Sequence, residues 1–146
     1  LVSVLRPGNE ADGLGPQPGS IDIPRLVDEV RAAGLEVSLD MSVRKTELPA
    51  RVDLAIYRIV QEALTNVIKH AGPQATAEVT ISSDRDGVAI QVRDNGGGAS
   101  RLPGSGHGIV GMRERAQLLG GSLLASPRSG GGFKVVAYLP KSKEAL

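Results

Sequence analysis

One long segment in the middle of the sequence has strong helical periodicity. Its apolar residues recur at spacings of three and four, which places them on one face of a helix that begins near Pro49. The residues on this face are Val52, Ile56, Ile59, Val60, Ala63, Val67 and Ala71. Because an apolar face of this length has to be buried, the helix is predicted to pack along one side against another layer of the protein.

A line of polar residues runs along the same helix, away from the apolar face. Four residues rise about 6 Å and overshoot one turn by roughly 40°, so Glu62 and Asn66 stand nearly one above the other. Arg58, Lys69 and His70 flank this line. A carboxylate can take a proton or orient a hydroxyl, and an amide oxygen suits a magnesium ion that keeps most of its waters. A solvated helix face would give the same pattern, because polar residues four apart are common on helices.

The composition fits one globular domain and excludes several classes of partner. The chain has 146 residues, 40% hydrophobic and 23% charged. Its formal charge of +1 argues against a nucleic-acid or membrane-surface footprint, and 2% aromatic residues provide no stacking platform for single strands. Cysteine is absent, which excludes disulfides and thiolate metal sites. The apolar runs are short and broken by charge, so no membrane span is visible.

The folded domain is predicted to occupy residues 21–140. Residues 1–20 are interpreted as the remnant of a preceding helix followed by a Pro/Gly-rich linker, and residues 141–146 as a tail. The sequence starts at Leu1 rather than Met, which suggests an excised fragment of a longer protein.

Helix and strand patterns follow one another along this domain. Asp22 is a plausible N-cap for a short amphipathic helix that ends at Gly34, and Asp86-Gly87 is typical of a hairpin turn. The predicted order is a helix over 22–34, a strand over 35–41, the long helix from about 49, and hairpin strands over 77–82 and 88–93. A helix over 108–119, ended by Gly120 and Gly121, and strands over 121–126 and 133–140 complete the domain. The expected fold is an α/β two-layer sandwich, with a mostly antiparallel mixed sheet and about three helices on one face.

Asp94 continues the alternation of the second hairpin strand on its covered side. A carboxylate beside a core needs a partner, and an acceptor at the mouth of a pocket would satisfy the exocyclic amine of adenine. The alternative is that Asp94-Asn95-Gly96 is merely a turn, since such residues favour turns.

Most of the 19 glycines lie between Gly96 and Gly132, in clusters at 96–98, 104–108 and 130–132. Glycines allow close backbone approach, so consecutive amides can converge on an anion, and the second cluster lies where the third helix begins. The clusters do not form a Walker loop, because no Gly-Lys-Ser or Gly-Lys-Thr occurs. The polar segment 99–103 between the first two clusters is expected to act as a mobile lid.

Four segments in order resemble the ATP-binding catalytic domain of bacterial sensor histidine kinases: RIVQEALTNVIKHA, VRDNGGG, GSGHGIVGMRERAQLLGG and GGGFKVVAYLP. The similarity covers roughly residues 21–140. It is greatest with the subfamily that signals to helix-turn-helix response regulators, particularly in the run from Gly111 to Arg115. The wider superfamily includes gyrase, chaperone and mismatch-repair ATPases, so the resemblance implies a Bergerat-type ATP-binding fold.

The resemblance also implies a role for individual residues, with ATP and Mg²⁺ as the ligands. Asn66 would coordinate magnesium, Glu62 would act as the base or orient the nucleophile, and Asp94 would accept a hydrogen bond from adenine. The remaining residues implied in nucleotide binding are Gly96 and Gly98 at the pocket floor, Gly106, His107 and Gly108 at the start of the third helix, and Lys69 and His70 near the phosphates.

The sequence departs from the family pattern in two respects. Many relatives place a threonine after the last glycine cluster, where it helps a water bridge adenine to the aspartate; here Phe133 stands there and is interpreted as core instead. Histidine kinases phosphorylate a histidine on a separate dimerising hairpin, whereas His70 and His107 lie in nucleotide-binding segments. The chain is therefore expected to lack the hairpin.

The expected function is that of the catalytic domain of a protein histidine kinase. It would bind Mg-ATP and donate the γ-phosphate to its own dimerisation hairpin, with a response regulator as second partner and no contact with nucleic acid or membrane. The domain is expected to be cytoplasmic, in a parent protein that could be an inner-membrane sensor. The alternatives are a nucleotide-binding regulatory module without turnover, and an anti-sigma-type serine kinase on the same fold.

Overall fold

The computed structural model of the chain describes residues 16–44, 48–97 and 107–142. Its α-helices are α1 (Ile23–Ala32), α2 (Ala50–His70) and α3 (His107–Leu118), and a 3-10 turn at Ser20–Asp22 precedes α1. Its strands are β1 (Glu36–Ser42), β2 (Thr76–Ser83), β3 (Gly87–Asp94), β4 (Ser122–Pro127) and β5 (Phe133–Pro140). None of the helices in these ranges has both the length and the apolar character needed to cross a bilayer.

The strands form one sheet in the order β1-β2-β3-β5-β4. β1 and β2 pair in parallel, while β2 with β3, β3 with β5 and β5 with β4 pair antiparallel. Parallel neighbours need a crossover connection, and α2 provides it between β1 and β2. The predicted two-layer α/β sandwich with a mostly antiparallel mixed sheet is confirmed.

The core lies between the helices and one face of the sheet. Every residue of the predicted apolar face of α2 is buried, and so is the predicted covered side of the hairpin: Ala77, Val79, Ile81, Val88, Ile90 and Val92. The other face of the sheet carries polar residues such as Glu78 and Arg93, which form an ion pair across β2 and β3. Alternation along each strand therefore determines which side is buried, as the period of two requires.

The ends of the predicted helices are confirmed where glycine can take a left-handed conformation. After α3, Gly120 has φ +81°, and the N–H of Gly121 donates to the carbonyl of Ala116 at 2.9 Å. Gly120 donates to Gln117 at 3.0 Å. This pair of bonds is a Schellman motif, which satisfies the last carbonyls of the helix and turns the chain into β4.

The predicted hairpin between β2 and β3 is confirmed, but its turn differs from a two-residue Asp86-Gly87 turn. Gly87 already belongs to β3, and its φ is not positive. The turn is built by Asp84, whose Oδ1 accepts the N–H groups of Asp86 at 2.8 Å and Gly87 at 2.9 Å. These two donors lower the pKa of the Asp84 carboxyl, because they stabilise its charged form.

The segment before α1 is attached to the first turn of α2. Oδ1 of the buried Asp53 accepts the N–H of Ser20 at 3.0 Å, and a methyl group at Gly19 would overlap the same carboxylate. Asp22 stands at the predicted N-cap position of α1, but its side chain accepts no capping hydrogen bond from the helix backbone. It accepts the N–H of Gly19 at 2.9 Å and so closes the 3-10 turn instead. The domain boundaries stay a prediction, with residues 1–15 outside the described ranges.

Candidate functional site

The polar line predicted on α2 is present in its C-terminal half. Glu62 and Asn66 are both half-buried and stand one turn apart on the side away from the apolar core. Lys69 is exposed and His70 is half-buried near the end of the helix. A helix is a rigid support, so the backbone fixes the rise of about 6 Å between Glu62 and Asn66 along the helix axis.

Glu62 faces the beginning of α3. A methyl group at Gly108 would overlap Oε2 of Glu62, so the absence of a side chain at Gly108 makes room for the carboxylate. The first N–H groups of a helix lack partners within the helix and carry partial positive charge. The predicted acidic residue of α2 therefore lies beside a helix end that favours anions such as phosphate.

Asp94 lies at the end of β3 in the middle of the sheet, between Ala77 of β2 and Phe133 of β5. It is only 2% exposed, which confirms the prediction that alternation places it on the covered side. Its Oδ1 accepts the N–H of Gly96 at 3.0 Å, the bond of an Asx turn. Asp94 is thus both a buried strand residue and a turn former, and its buried carboxylate can serve only as an acceptor.

Gly96 brings the end of β3 against the end of α2. A methyl group at this position would overlap the carbonyl oxygen of Ala71, the residue that caps α2. The next residue, Gly97, has nothing within 4 Å of the corresponding position. Gly96 is therefore required by backbone packing, and it links the helix that carries Asn66 to the strand that carries Asp94.

The turn between β4 and β5 also contacts Asp94, through Gly132 of the third glycine cluster and through Arg128, which the sequence did not indicate. A methyl group at Gly132, which has φ +100°, would overlap the Asp94 carbonyl oxygen. Arg128 donates from a guanidinium N–H to the same carbonyl at 2.8 Å. Phe133 is 5% exposed and belongs to the hydrophobic core, which confirms the interpretation of this residue.

Lys69 and His70 also border a groove on the α1 side of α2. This cavity of about 440 Å³ is lined by Ala33, Gly34, Leu35, Val67, Ile68, Lys69, His70, Gly72 and Pro73. It lies where the C-terminal ends of α1 and α2 meet. The role of these two side chains near phosphate groups stays a prediction.

Several predicted site features fall outside what the structure describes. Gly98, Gly106 and the expected lid at 99–103 lie outside the described residues, and of His107 only the backbone at the start of α3 is described. Within residues 16–44, 48–97 and 107–142, no three His, Asp or Glu side chains converge as a metal cluster. Asn66, which lies in the second of these ranges, stays the predicted magnesium ligand.

Comparison with known proteins assigns the chain to a family. The model of the family described as "Histidine kinase-, DNA gyrase B-, and HSP90-like ATPase" matches residues 51–143. The sensor histidine kinase YxjM of Bacillus subtilis is 41% identical over 109 residues, which are 74% of this chain and 26% of YxjM. The nitrate/nitrite sensor protein NarQ of Escherichia coli is 33% identical over 121 residues, which are 78% of this chain and 21% of NarQ. The chain thus spans about a quarter of the length of these relatives.

Solved structures show the same fold at lower identity. A blue-light activated histidine kinase of Erythrobacter litoralis superposes with a TM-score of 0.71 at 22% identity, over 88% of this chain and 44% of that one. The mycobacterial sensor histidine kinase MprB gives a TM-score of 0.60 at 19% identity, over 84% of this chain and 95% of that one.

Proposed function

The chain belongs to the family of histidine kinase-, DNA gyrase B- and HSP90-like ATPases, and from that premise we propose how its own residues work. The domain binds Mg-ATP with the adenine ring at Asp94 and the phosphates between α2 and the start of α3. It presents the γ-phosphate to a histidine on a dimerisation hairpin of the kinase. The two histidines of this sequence, His70 and His107, belong to the segments assigned to nucleotide binding.

The observation that carries this proposal is the contact between Glu62 and Gly108. It joins an acidic side chain to a helix start that attracts phosphate, and these two groups are the ones needed where a phosphoryl group is transferred. Glu62 orients the incoming histidine or accepts its proton, while the amides at the start of α3 offset charge on the phosphates. Phosphoryl transfer depends mainly on positioning and charge, so few groups suffice.

The assignment of adenine binding to Asp94 is supported by the burial of this residue. Adenine presents an exocyclic amine where guanine presents a carbonyl oxygen, and a carboxylate can pair only with the amine. In a site with little competing water, the mismatch would leave two acceptors unpaired. Asp94 therefore selects ATP over GTP.

The magnesium assignment is supported by the chemistry of Asn66. An amide oxygen is a hard neutral ligand, and magnesium commonly takes one or two protein oxygens together with phosphate oxygens and water. Bound at this point, the ion would neutralise charge on the phosphates. Asn66 stands half-buried one turn from Glu62, so the helix holds ligand and carboxylate on the same side.

The partners are inferred from the relatives, which are named as sensor histidine kinases and a nitrate/nitrite sensor. We assign to the parent protein a dimerisation hairpin that carries the accepting histidine, and a response regulator that receives the phosphate next. The domain itself then works in the cytoplasm, where ATP and the response regulator are found.

The proposal is tested by nucleotide titration in a calorimeter, with magnesium or with EDTA. Replacing Asn66 by Ala removes the amide ligand, so Mg-ATP should bind at least about tenfold more weakly, or about 1.4 kcal/mol. Binding in EDTA should change little, because no ion is present for the side chain to coordinate.

Gln117→Ala is the matched control, since it removes an exposed amide from α3 and should leave both titrations unchanged. Equal Mg-ATP affinity for Asn66→Ala and the parent chain would remove Asn66 from the metal site. If the parent chain binds ATP neither with magnesium nor in EDTA, the proposed function itself is overturned.

A further inference from the structure

We propose that Arg128 is a positioning residue for base selection: it holds the backbone of Asp94 so that the carboxylate meets the amine of adenine. This inference rests on the proposed function, because it concerns the same nucleotide site. Arg128 acts through the Asp94 peptide and not by contact with the nucleotide.

The contact spans two elements that are distant in the sequence. A guanidinium N–H of Arg128 donates to the carbonyl oxygen of Asp94 at 2.8 Å, across 34 residues. Hydrogen bonds from a charged donor are among the stronger ones in proteins. The Arg128 side chain is half-buried, so water competes only in part for this bond.

The turn that carries Arg128 is closed by two backbone hydrogen bonds of its own. The N–H of Arg128 donates to the carbonyl of Gly132 at 2.8 Å, and Gly131 donates back to the carbonyl of Arg128 at 3.1 Å. Gly132 packs against the same Asp94 carbonyl that Arg128 binds. The turn thus fixes the end of β3 from the β5 side.

Asn95 fixes the end of β3 from the β2 side. Its N–H donates to the carbonyl of Thr76 at 3.2 Å, and its Oδ1 accepts the N–H of Thr76 at 2.7 Å. The Asp94 carbonyl and the Asn95 N–H belong to one peptide, which is therefore held by the β4–β5 turn at its carbonyl and by β2 at its N–H. Replacing Arg128 removes the hydrogen bond to the carbonyl and leaves the hydrogen bond from the Asn95 N–H in place.

The strength of a hydrogen bond falls steeply as its angle departs from linear. A small rotation of the Asp94 peptide turns the carboxylate away from the amine of adenine and still leaves space for a purine. ATP then loses part of its advantage, whereas GTP, which gains nothing from this carboxylate, is little affected. The expected result is a smaller ratio of ATP affinity to GTP affinity.

The ratio distinguishes positioning from two simpler roles. If the positive charge of Arg128 merely attracted the triphosphate, its loss would weaken ATP and GTP equally. If the side chain merely stabilised the fold, its loss would lower the melting temperature without altering the ratio. Base selectivity is therefore the measurement that matters.

The experiment measures the Kd of Mg-ATP and Mg-GTP for Arg128→Met by competition titration, together with thermal unfolding. We expect the preference for ATP to fall at least about threefold, with most of the loss on ATP. Arg128→Lys keeps a charged donor and should retain more of the preference than Arg128→Met. If Arg128→Met does not fold, Arg128→Gln has a shorter neutral side chain and carries the same expectation.

Arg31→Met is the matched control. Like Arg128, Arg31 donates from its guanidinium to a backbone carbonyl. Arg31 lies on α1 and its acceptor is the carbonyl of Val37 at 2.9 Å, on the β1 side of the molecule. This variant should lose stability and keep the parent's ratio. A folded Arg128→Met or Arg128→Gln variant with the parent's ratio would overturn the positioning role alone. A parent chain that binds no ATP would overturn the proposed function along with it.

Discussion

The carboxylate of Glu62 on α2 lies so close to Gly108 on α3 that any side chain at position 108 would displace it. The displaced atoms are the far end of a flexible side chain, so the carboxylate would move and the two helices would stay in place. Gly108→Ala should therefore keep nucleotide affinity within a few-fold. It should slow phosphoryl transfer in the full-length kinase at least about tenfold, because Glu62, the proposed general base, is mispositioned. Single-turnover kinetics with labelled ATP measure this.

Thermal unfolding separates this effect from damage to the fold. Replacing a helical glycine by alanine favours the helix by up to about 1 kcal/mol, so Gly108→Ala should melt no lower than the parent. Gly111→Ala is the control: it makes the same change in α3 at a position with nothing within 4 Å, and transfer should be unchanged. Glu62→Gln should bind nucleotide about as tightly as Gly108→Ala does, and its rate of phosphoryl transfer should be lower still. Unimpaired transfer in Gly108→Ala would show that Glu62 compensates the α3 dipole and takes no part in the chemistry.

The same substitution should destabilise the protein at Gly96 and have little effect at the neighbouring Gly97. A methyl group at Gly96 would overlap the backbone of Ala71, which cannot move without shifting the end of α2. Gly96→Ala should cost about 1–3 kcal/mol of unfolding free energy and weaken ATP binding. Gly97→Ala meets no atom within 4 Å and should change stability by less than about 0.5 kcal/mol. Denaturant titration of both variants tests the difference, and equal stabilities would contradict the close packing at Gly96.

Asp94→Asn should lower ATP affinity and narrow the gap between ATP and GTP. The parent chain should prefer ATP by at least about tenfold, because a buried unpaired acceptor costs about 1–3 kcal/mol. The new amide can donate to guanine as well as accept from adenine, so the preference shrinks. Competition binding with both nucleotides measures it. Asp53→Asn is the control, since it changes another buried carboxylate that bonds to Ser20 and should leave the preference intact.

Acid should loosen the β2–β3 turn through Asp84. The N–H groups of Gly87 and Asp86 lower the pKa of this carboxyl from its usual 3.8. A group with a lowered folded-state pKa stabilises the fold above its unfolded value, and that stabilisation is lost as pH falls through the folded-state pKa. The contribution should therefore be complete above about pH 4 and decline below it. Unfolding free energy followed between pH 5 and pH 2 should fall less in Asp84→Asn than in the parent. Asp86→Asn, which leaves both donors in place, should follow the parent curve.

Periodicity was sufficient to predict the features that depend on a single element. The apolar face of α2 and the burial of Asp94 follow from the helical and strand repeats, and both are confirmed. The Schellman end of α3 follows from Gly120, because few other residues take its conformation. In each case, neighbours within one element determine the outcome.

Contacts between elements could not be read from the sequence. Arg128 reaches Asp94 across 34 residues, and Ser20 reaches Asp53 across 33. No repeat or motif links such pairs, because their proximity depends on the strand order and on how the helices lie on the sheet. Gly108 was predicted at a phosphate-binding helix start, but its contact with Glu62 depends on the packing of α3 beside α2. The Asp84 turn was missed because a side-chain acceptor replaced the expected left-handed glycine.

The bond between Ser20 and Asp53 has a mechanical consequence. It joins the polypeptide that precedes α1 to the first turn of α2, about two and a half turns, or roughly 14 Å, before Glu62. A pull or twist on the segment before α1 therefore acts on α2 through this bond. Helices transmit axial force with little extension, since each turn is closed by backbone hydrogen bonds. Strain applied at Ser20 would thus arrive at the Glu62 carboxylate as a displacement of the whole helix.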